Sequence, residues 1–212
     1  MIKVSASILA SDFARLGEEV RCVGDAGCDM VHVDVMDGHF VPNLTMGPMI
    51  VKAIRPYTKT FFDVHLMISD PEKYAPAYIQ AGADGITVHA EACGERLEKI
   101  LRELKHQGVR VGCAISPDTP WTVLEPVLPM LDMVLVMTVY PGFGGQKLIP
   151  QTLDKVRVIR SRYPELDIQV DGGVNSETLP EVLEAGANVI VMGTAFFRAE
   201  DPSKLVKQVK GV

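Results

Sequence analysis

The fold is decided by residues 31–43, which read VHVDVMDGHFVPN. Valines alternate with polar residues at the start of this stretch, and side chains two residues apart on a β-strand point to the same face. His32 and Asp34 therefore share one face of a predicted strand. A solvated strand face would tolerate the same two residues, so the alternation alone leaves both interpretations open.

Two further apolar stretches end in the same way. Residues 60–65 read TFFDVH, and residues 166–171 read LDIQVD and are followed by two glycines. His65 and Asp171 are the last residues of these stretches, so three predicted strands carry His or Asp at their carboxyl ends. This repetition favours a functional site over a solvated face.

A short signature precedes three of the predicted strands, at residues 26–29 (AGCD), 81–84 (AGAD) and 185–188 (AGAN). In each case a helix-ending glycine leads into a β-branched run. The spacings of 55 and 104 residues, taken as two and four strand–helix units, give 27.5 and 26 residues per unit, and eight units over 212 residues give 26.5. The repeat therefore predicts eight units.

Strands that alternate with helices predict a parallel sheet, and eight units predict its closure into a single (β/α)8 TIM barrel over residues 1–212. Helical patterns fill the gaps between the strands and are clearest at residues 95–105. In this fold the carboxyl ends of the strands form the active face. The strands are predicted near 4–8, 30–35, 60–66, 85–89, 109–115, 132–138, 166–170 and 188–192.

The composition is that of a soluble globular protein, with 47% hydrophobic and 23% charged residues. The sequence begins without a signal peptide and has no apolar run near the roughly 18 residues of a membrane span, so we expect a cytoplasmic protein without a membrane partner. A net charge of −6 argues against nucleic acid, which recruits basic surfaces. The cysteines lack Cys-x-x-Cys spacing, and we expect reduced thiols at Cys22, Cys28, Cys93 and Cys113.

Two imidazoles and two carboxylates at the mouth of a barrel predict a site for one divalent metal ion. Nitrogen and oxygen ligands of this kind suit zinc, iron(II), manganese or cobalt, and the order of affinities does not choose among them. A hydrogen-bonded polar cluster without metal is the alternative that the residues themselves leave open. The predicted ligands are His32, Asp34, His65 and Asp171.

The two carboxylates also predict a type of reaction. Asp34 and Asp171 come from strands two and seven, which we expect to flank strand one in the ring. One carboxylate could then remove a proton from one face of a substrate while the other returns it to the opposite face, which inverts a stereocentre. A metal between them would hold the substrate's oxygens and stabilise an enediolate.

Glycine-rich loops predict an anion site, although a tight turn would use the same residues. Residues 139–146, VYPGFGGQ, follow strand six, and glycine lets backbone N–H groups approach an oxyanion. Gly172 and Gly173 follow strand seven, and Gly193 and Thr194 follow strand eight, where barrels of this kind bind phosphate. A phosphorylated substrate is therefore favoured.

Five motifs, spread from the first strand to the last, resemble those of the ribulose-phosphate 3-epimerase family. The resemblance implies a metal-dependent isomerase that interconverts D-ribulose 5-phosphate and D-xylulose 5-phosphate in a (β/α)8 barrel. Barrels of this type often associate, so we also expect a homo-oligomer. The motifs are SILASDF at 7–13, HVDVMDGHFVPN at 32–43, DVHLM at 63–67, MTVYPGFGGQ at 137–146 and DGGV at 171–174.

The resemblance also implies roles for individual residues. Asp34 and Asp171 would form the acid/base pair and, with His32 and His65, hold the metal, while Ser7 would contact the substrate. Three methionines at strand ends would form apolar pocket walls that exclude water; these are Met36, Met67 and Met137. The other substrate contacts, mostly to the phosphate, would come from His65, Gly142, Phe143, Gly144, Gly145, Asp171, Gly172, Gly173, Gly193 and Thr194.

We expect three further polar residues to have structural roles. His89 and Glu91 repeat the alternating spacing after strand four, but the family gives them no ligand role, so we expect a hydrogen-bonded rim. Asp63 is expected to be a buried, hydrogen-bonded partner and not a fifth metal ligand.

Other functions fit the same residues. An epimerase of a hexulose 6-phosphate such as D-allulose 6-phosphate would need only a longer pocket, and a family with that activity shares these motifs. A metal-free lyase or decarboxylase on the same phosphate-binding barrel would not need two His and two Asp at the mouth. A non-catalytic sugar-phosphate-binding protein would not need the acid/base pair.

Overall fold

The computed structural model describes residues 1–211, which form a closed barrel of eight parallel strands in sequence order. Valine, isoleucine and leucine are frequent in the strands because both faces of such a sheet are buried. The predicted (β/α)8 barrel is confirmed, and no strand boundary differs from its prediction by more than one residue. The strands are β1 Lys3–Ser7, β2 Met30–Met36, β3 Phe61–Met67, β4 Gly85–His89, β5 Arg110–Ile115, β6 Met133–Met137, β7 Asp167–Asp171 and β8 Val189–Met192.

Helices cover the outside of the barrel and bury their apolar faces against the strands. Within the described part of the chain, no helix is long and apolar enough to cross a membrane. The α-helices of residues 1–211 are α1 Leu16–Asp25, α2 Pro48–Ile54, α3 Pro71–Ala81, α4 Ala90–Cys93, α5 Leu97–His106, α6 Leu153–Arg162, α7 Leu179–Glu184, α8 Thr194–Phe197 and α9 Pro202–Lys210.

The connection between β5 and β6 departs from the expected pattern of one helix per unit. Residues 116–132, all of which the structure describes, contain the 3₁₀ turns Trp121–Leu124 and Leu128–Met130 in place of an α-helix. The segment carries prolines at positions 117, 120, 126 and 129. Proline lacks the backbone N–H that a helix interior needs, so this spacing prevents a regular helix.

Strand register sorts the side chains inside the barrel into layers. Asp34 of β2 lies opposite His65 of β3, and Met137 of β6 lies opposite Asp171 of β7. Residues in register on neighbouring parallel strands point to the same side, and Asp34, His65 and Asp171 meet at the barrel mouth. The opposite end of the barrel is closed by an apolar layer of Met30, Phe61, Met133 and Val189.

An ion cluster holds the amino ends of the strands together. The carboxylate of Asp167, at the start of β7, accepts hydrogen bonds from Lys3 at 2.6 Å, from Arg110 at 2.8 Å and from the Asn188 side chain at 2.8 Å. These three donors come from three other parts of the barrel wall. They outweigh the effect of burial and lower the pKa of Asp167.

We predict that Asp167→Asn lowers the free energy of unfolding at pH 7 by about 1–3 kcal/mol, because it removes a charged acceptor from three donors. The folded-state pKa of Asp167 lies below its unfolded value of about 3.9, so its stabilisation is present above that pH and is lost as the pH falls through the folded value. Urea unfolding should therefore show a difference from the unmodified protein that shrinks below about pH 4.

The matched control is Asp154→Asn, because Asp154 pairs with Arg157 on the surface and its side chain is 75% exposed. Its effect should stay within about 0.5 kcal/mol. Equal stability of Asp167→Asn and the unmodified protein at pH 7 would contradict the assignment.

Candidate active site

A cavity of about 670 Å³ opens at the carboxyl ends of the strands. Asp34 and Asp171 reach it from below, and Ser7 lines it from the end of β1. His32 and His65 are fully buried beneath its floor and do not line it. The other predicted residues on its wall are Met36, Met67, Met137, Gly142, Phe143, Gly144, Gly145, Gly172, Gly173, Gly193 and Thr194.

The four predicted ligands converge in one cluster whose donor atoms all lie within 4.8 Å of one another. The Nε2 atom of His32 is 3.3 Å from Oδ1 of Asp34 and 3.7 Å from Oδ2 of Asp171. The Nδ1 atom of His65 is 3.2 Å and 3.8 Å from the same two oxygens. Two nitrogens and two oxygens therefore surround one small, buried space.

The hydrogen bonding of His32 tests whether this space fits a metal ion. Its Nδ1 lies 2.8 Å from the Asp63 carboxylate, which has no proton to give, so this nitrogen is the donor. Its Nε2 is buried, lacks a hydrogen-bond partner among residues 1–211 and faces the cluster. An imidazole oriented by a carboxylate, with its second nitrogen unpaired, is the usual arrangement of a metal-binding histidine. The residues present fit a divalent ion.

Asp63 supports this cluster from the layer below. Its Oδ2 also accepts a hydrogen bond from the side-chain amide of Gln169 at 2.6 Å and one from Ser5 at 3.3 Å. The prediction that Asp63 is a buried, hydrogen-bonded partner is confirmed by this geometry. Gln169 was not identified from the sequence because it lies mid-strand, where its contact with Asp63 depends on the register of distant strands.

The cluster distributes protons unequally among its members. Burial opposes charge on His32, but the adjacent Asp34 and Asp63 carboxylates raise its pKa well above the ordinary value. Burial also opposes charge on Asp34, and the proximity of His32 and then of His65 lowers its pKa. Without a cation, a proton on His32 would offset the charge of these carboxylates, and metal binding would displace that proton.

The pKa values of the other two members, Asp171 and His65, shift in the opposite directions. Burial and then the charge of Asp34 raise the pKa of Asp171 to about 7. Burial lowers the pKa of His65 to about 4, against the effect of its contact with Asp34. Two carboxylates in one desolvated space cannot both be charged without a cation nearby, so their ionisations are linked.

The loop after β6 is held by two side chains that the sequence analysis did not assign. The side-chain amide of Gln146 donates to the backbone carbonyls of Tyr140 and Phe143 at 2.7 and 2.8 Å. The amide of Asn43, from the loop after β2, donates to the carbonyl of Gly142 at 2.7 Å. Asn43 and Gln146 are the last residues of the motifs at 32–43 and 137–146. Their place in these motifs is the sequence feature that could have identified them.

The loop after β7 requires its glycines. Gly172 and Gly173 have φ angles of +117° and +69°. A Cβ on Gly173 would lie 2.3 Å from the backbone nitrogen of Leu148, and one on Gly172 would lie 2.3 Å from the Val139 side chain. The close approach of the loops after β6 and β7 places the glycines of both loops on the cavity wall.

Arg198 adds a charge that the sequence analysis missed. It follows α8 and is the one Lys or Arg on the cavity wall in the described part of the chain. It lines the cavity together with Gly193 and Thr194, and it follows them in the sequence. A charged residue at a helix end is usually solvated, so the sequence pattern alone did not distinguish it.

His89 is hydrogen-bonded as predicted, but its predicted position on the rim is wrong. His89 was expected on a hydrogen-bonded rim, but its side chain is fully buried and its Nε2 lies 2.9 Å from Nε2 of His65. Glu91 bonds to Nδ1 of His89 at 3.1 Å. Register explains the difference, because His89 ends β4 directly beside β3 and points into the barrel.

The fold and the cavity define a TIM-barrel enzyme with a possible metal site beside glycine-rich loops. The sequence model of the ribulose-phosphate 3 epimerase family matches residues 3–197. The chain is 50% identical to the ribulose-phosphate 3-epimerase of Bacillus subtilis, with 100% of this chain and 99% of that protein covered. It is also 50% identical to that of Synechocystis sp., over 99% and 93% of the two chains. The chain belongs to the ribulose-phosphate 3-epimerase family, which confirms the predicted isomerase class.

Similarity of fold extends further than similarity of sequence. The 3-hexulose-6-phosphate synthase of Salmonella typhimurium superposes with a TM-score of 0.71 at 23% identity, covering 99% of this chain and 98% of that one. At this identity the likeness concerns the barrel alone.

We predict that Gly173→Ala lowers the free energy of unfolding by about 1–3 kcal/mol, because a positive φ and a backbone contact both disfavour a side chain there. Chemical denaturation measures this loss. Gly144→Ala is the matched control for stability, since a Cβ at Gly144 would meet no atom within 4 Å. Equal stability of the two variants would contradict the described packing of the loops after β6 and β7.

Proposed function

We propose that this protein interconverts D-ribulose 5-phosphate and D-xylulose 5-phosphate by removing and returning the proton at C3. The observation that carries the proposal is the convergence of Asp34 and Asp171 on one cavity, beside a cluster of four possible metal ligands. A base and an acid in the same cavity are what inversion at a carbon next to a carbonyl requires.

The two carboxylates approach the cavity from separate strands. Strand β1 pairs with β2 and with β8, so β7 lies one strand further from β1 than the sequence analysis expected. Asp34 on β2 and Asp171 on β7 are therefore separated by two strands, and a substrate between them would present one face to each. This separation supports the two-base assignment.

Each carboxylate has a distinct part in the proton transfer. Ser7 donates a hydrogen bond from Oγ to Oδ2 of Asp34 at 2.6 Å and fixes the orientation of that carboxylate. In one direction, the charged Asp34 accepts the C3 proton and the carboxyl of Asp171 donates a proton to the opposite face. In the other direction the roles exchange, because the reverse reaction passes through the same steps.

The cavity walls protect the reacting carbon from water. Met36, Met67 and Val41 pack together on the β2 and β3 side, and Met137 lines the cavity from β6. A bound divalent ion, held by His32, Asp34, His65 and Asp171, would polarise the substrate carbonyl and offset the negative charge that develops on loss of the proton. Polarizable apolar walls keep competing water away from that charge.

The opposite end of the cavity supports recognition of a phosphate. The cavity is lined here by Gly142 to Gly145, Gly172, Gly173, Gly193 and Thr194, and glycine lets backbone N–H groups approach an anion closely. Arg198 supplies a positive charge on the same wall. A phosphorylated ketose with its reacting carbons over Asp34 and Asp171 would reach both ends.

We also propose the identity of the ion, the extent of the catalytic domain and the setting in which the protein acts. The ion is zinc, iron(II), manganese or cobalt, because two imidazoles and two carboxylates suit all four. Residues 1–212 form one catalytic domain, and the protein acts in the cytoplasm as a homo-oligomer on a small phosphorylated ketose, without a nucleic-acid or membrane partner.

We predict that Asp34→Asn lowers kcat about 10²–10⁴-fold, because an amide cannot accept the C3 proton. Turnover of D-ribulose 5-phosphate in deuterated water, with deuterium at C3 followed by NMR, measures both product formation and exchange. Asp154→Asn serves as the surface control. Full activity of Asp34→Asn would remove this residue from the mechanism, and activity on D-allulose 6-phosphate alone would redirect the proposal to a hexulose phosphate.

We predict that exhaustive chelation abolishes epimerisation and that adding back zinc, iron(II), manganese or cobalt restores it, because the negative charge at the substrate would otherwise lack a counter-ion. Circular dichroism checks that the barrel stays folded throughout. Undiminished activity of the folded, metal-free protein would contradict metal dependence and favour a lyase or decarboxylase type of chemistry.

A further inference from the structure

A chain of buried hydrogen bonds leads away from His65 on the side opposite the metal cluster. Nε2 of His65 lies 2.9 Å from Nε2 of His89, and Nδ1 of His89 lies 3.1 Å from Oε2 of Glu91. The two rings are nearly parallel, with centroids 5.0 Å apart. His89 is fully buried, and the ring of Phe40 packs against it at 4.9 Å.

The far end of this chain is a fixed acceptor. The other oxygen of Glu91, Oε1, accepts hydrogen bonds from the backbone N–H of Ser116 at 2.7 Å and from the hydroxyl of Thr119. Its contacts with His89, Thr119 and Ser116 outweigh burial and lower the pKa of Glu91 to about 2. A carboxylate in this state accepts hydrogen bonds and donates none.

The loop that contacts Glu91 is itself held in place. The Nζ atom of Lys155 donates to the backbone carbonyls of Ser116, Pro117 and Thr119 at 2.9, 2.6 and 2.6 Å. The Ser116 N–H therefore has a fixed direction, and it is a donor that cannot change. Glu91 is constrained to present one oxygen to the loop and the other to His89.

These hydrogen-bond partners determine which ring nitrogen of His89 and of His65 carries a proton. Because Glu91 only accepts, Nδ1 of a neutral His89 carries its proton and Nε2 of His89 keeps a lone pair. That lone pair accepts from Nε2–H of His65, which leaves the Nδ1 lone pair of His65 facing the carboxylates of Asp34 and Asp171. A lone pair that faces carboxylate oxygens is stable only with a cation between them or with a proton on one of the carboxyls.

We propose that His89 and Glu91 are positioning residues that fix His65 in the tautomer whose Nδ1 is free to bind the metal ion. His32 is oriented by Asp63 directly, whereas His65 would be oriented by a carboxylate through a second imidazole. This inference rests on the metal site of the proposed function and adds two residues that act on it from outside.

The sharpest test is Glu91→Gln, which keeps the size of the side chain but replaces one acceptor by a donor. If the amide nitrogen faces His89, Nδ1 of His89 must accept, its proton moves to Nε2, and His65 is driven to carry its proton on Nδ1. If the amide group is turned round, its nitrogen meets the Ser116 N–H. The first orientation is favoured, because His89 can adapt by moving its proton from Nδ1 to Nε2, whereas the backbone N–H of Ser116 cannot change.

The readout is the affinity of the purified protein for Zn²⁺, measured by competition with a chromophoric chelator, together with the visible spectrum of the Co²⁺-loaded protein. Glu91→Gln should weaken Zn²⁺ binding about 10–100-fold and change the Co²⁺ spectrum. The matched control is Glu72→Gln, which likewise removes the charge from a glutamate with two strong partners, Arg96 and Lys99. Glu72 takes no part in the hydrogen bonds that link His65, His89 and Glu91. The Zn²⁺ affinity of Glu72→Gln should be unchanged.

A second variant separates positioning from packing. Glu91→Ala removes the contacts with Ser116 and Thr119 but places no donor against His89, so it should lose stability while weakening Zn²⁺ binding less than Glu91→Gln does. Unchanged Zn²⁺ affinity and Co²⁺ spectrum in a folded Glu91→Gln protein would overturn the positioning role. Absence of Zn²⁺ binding in the unmodified protein would instead overturn the metal site of the proposed function.

Discussion

Two carboxylates and two imidazoles share one buried space at the mouth of this barrel, with their donor atoms within 4.8 Å of one another. Like charges at this distance, away from water, require a proton or a cation between them. The strand register enforces the contact, because it places Asp34 of β2 opposite His65 of β3. Much of the surrounding structure can be understood as holding the two carboxylates together against their mutual repulsion.

Residues that stabilise the barrel and residues of the candidate active site lie at opposite ends of the strands. At the amino ends, an apolar layer and the cluster around Asp167 hold the strands together. One layer up, Asp63 and Gln169 form a polar floor that orients His32. At the carboxyl ends, glycine loops line the cavity wall, and because glycine lets backbone N–H groups approach an oxyanion, this suits an anionic substrate in a protein of net charge −6.

The barrel was predictable because its signals are local or periodic. Alternation placed His32 and Asp34 on one face, and the repeated Ala-Gly signature gave the number of units. The missed features depend on contacts between distant segments. The role of His89 follows from the position of β4 beside β3, and that of Gln169 from its contact with Asp63 across the barrel. The prolines between β5 and β6 indicate that no helix forms there. The average length of a strand–helix unit does not reveal this departure.

An anomalous difference map from crystals grown with Zn²⁺ tests the central claim most directly. The account predicts one ion bonded at about 2.0–2.2 Å to Nε2 of His32, Nδ1 of His65 and one oxygen each of Asp34 and Asp171. An ion bound through Asp63 or His89, or no ion at this cluster in a folded protein, would contradict the account.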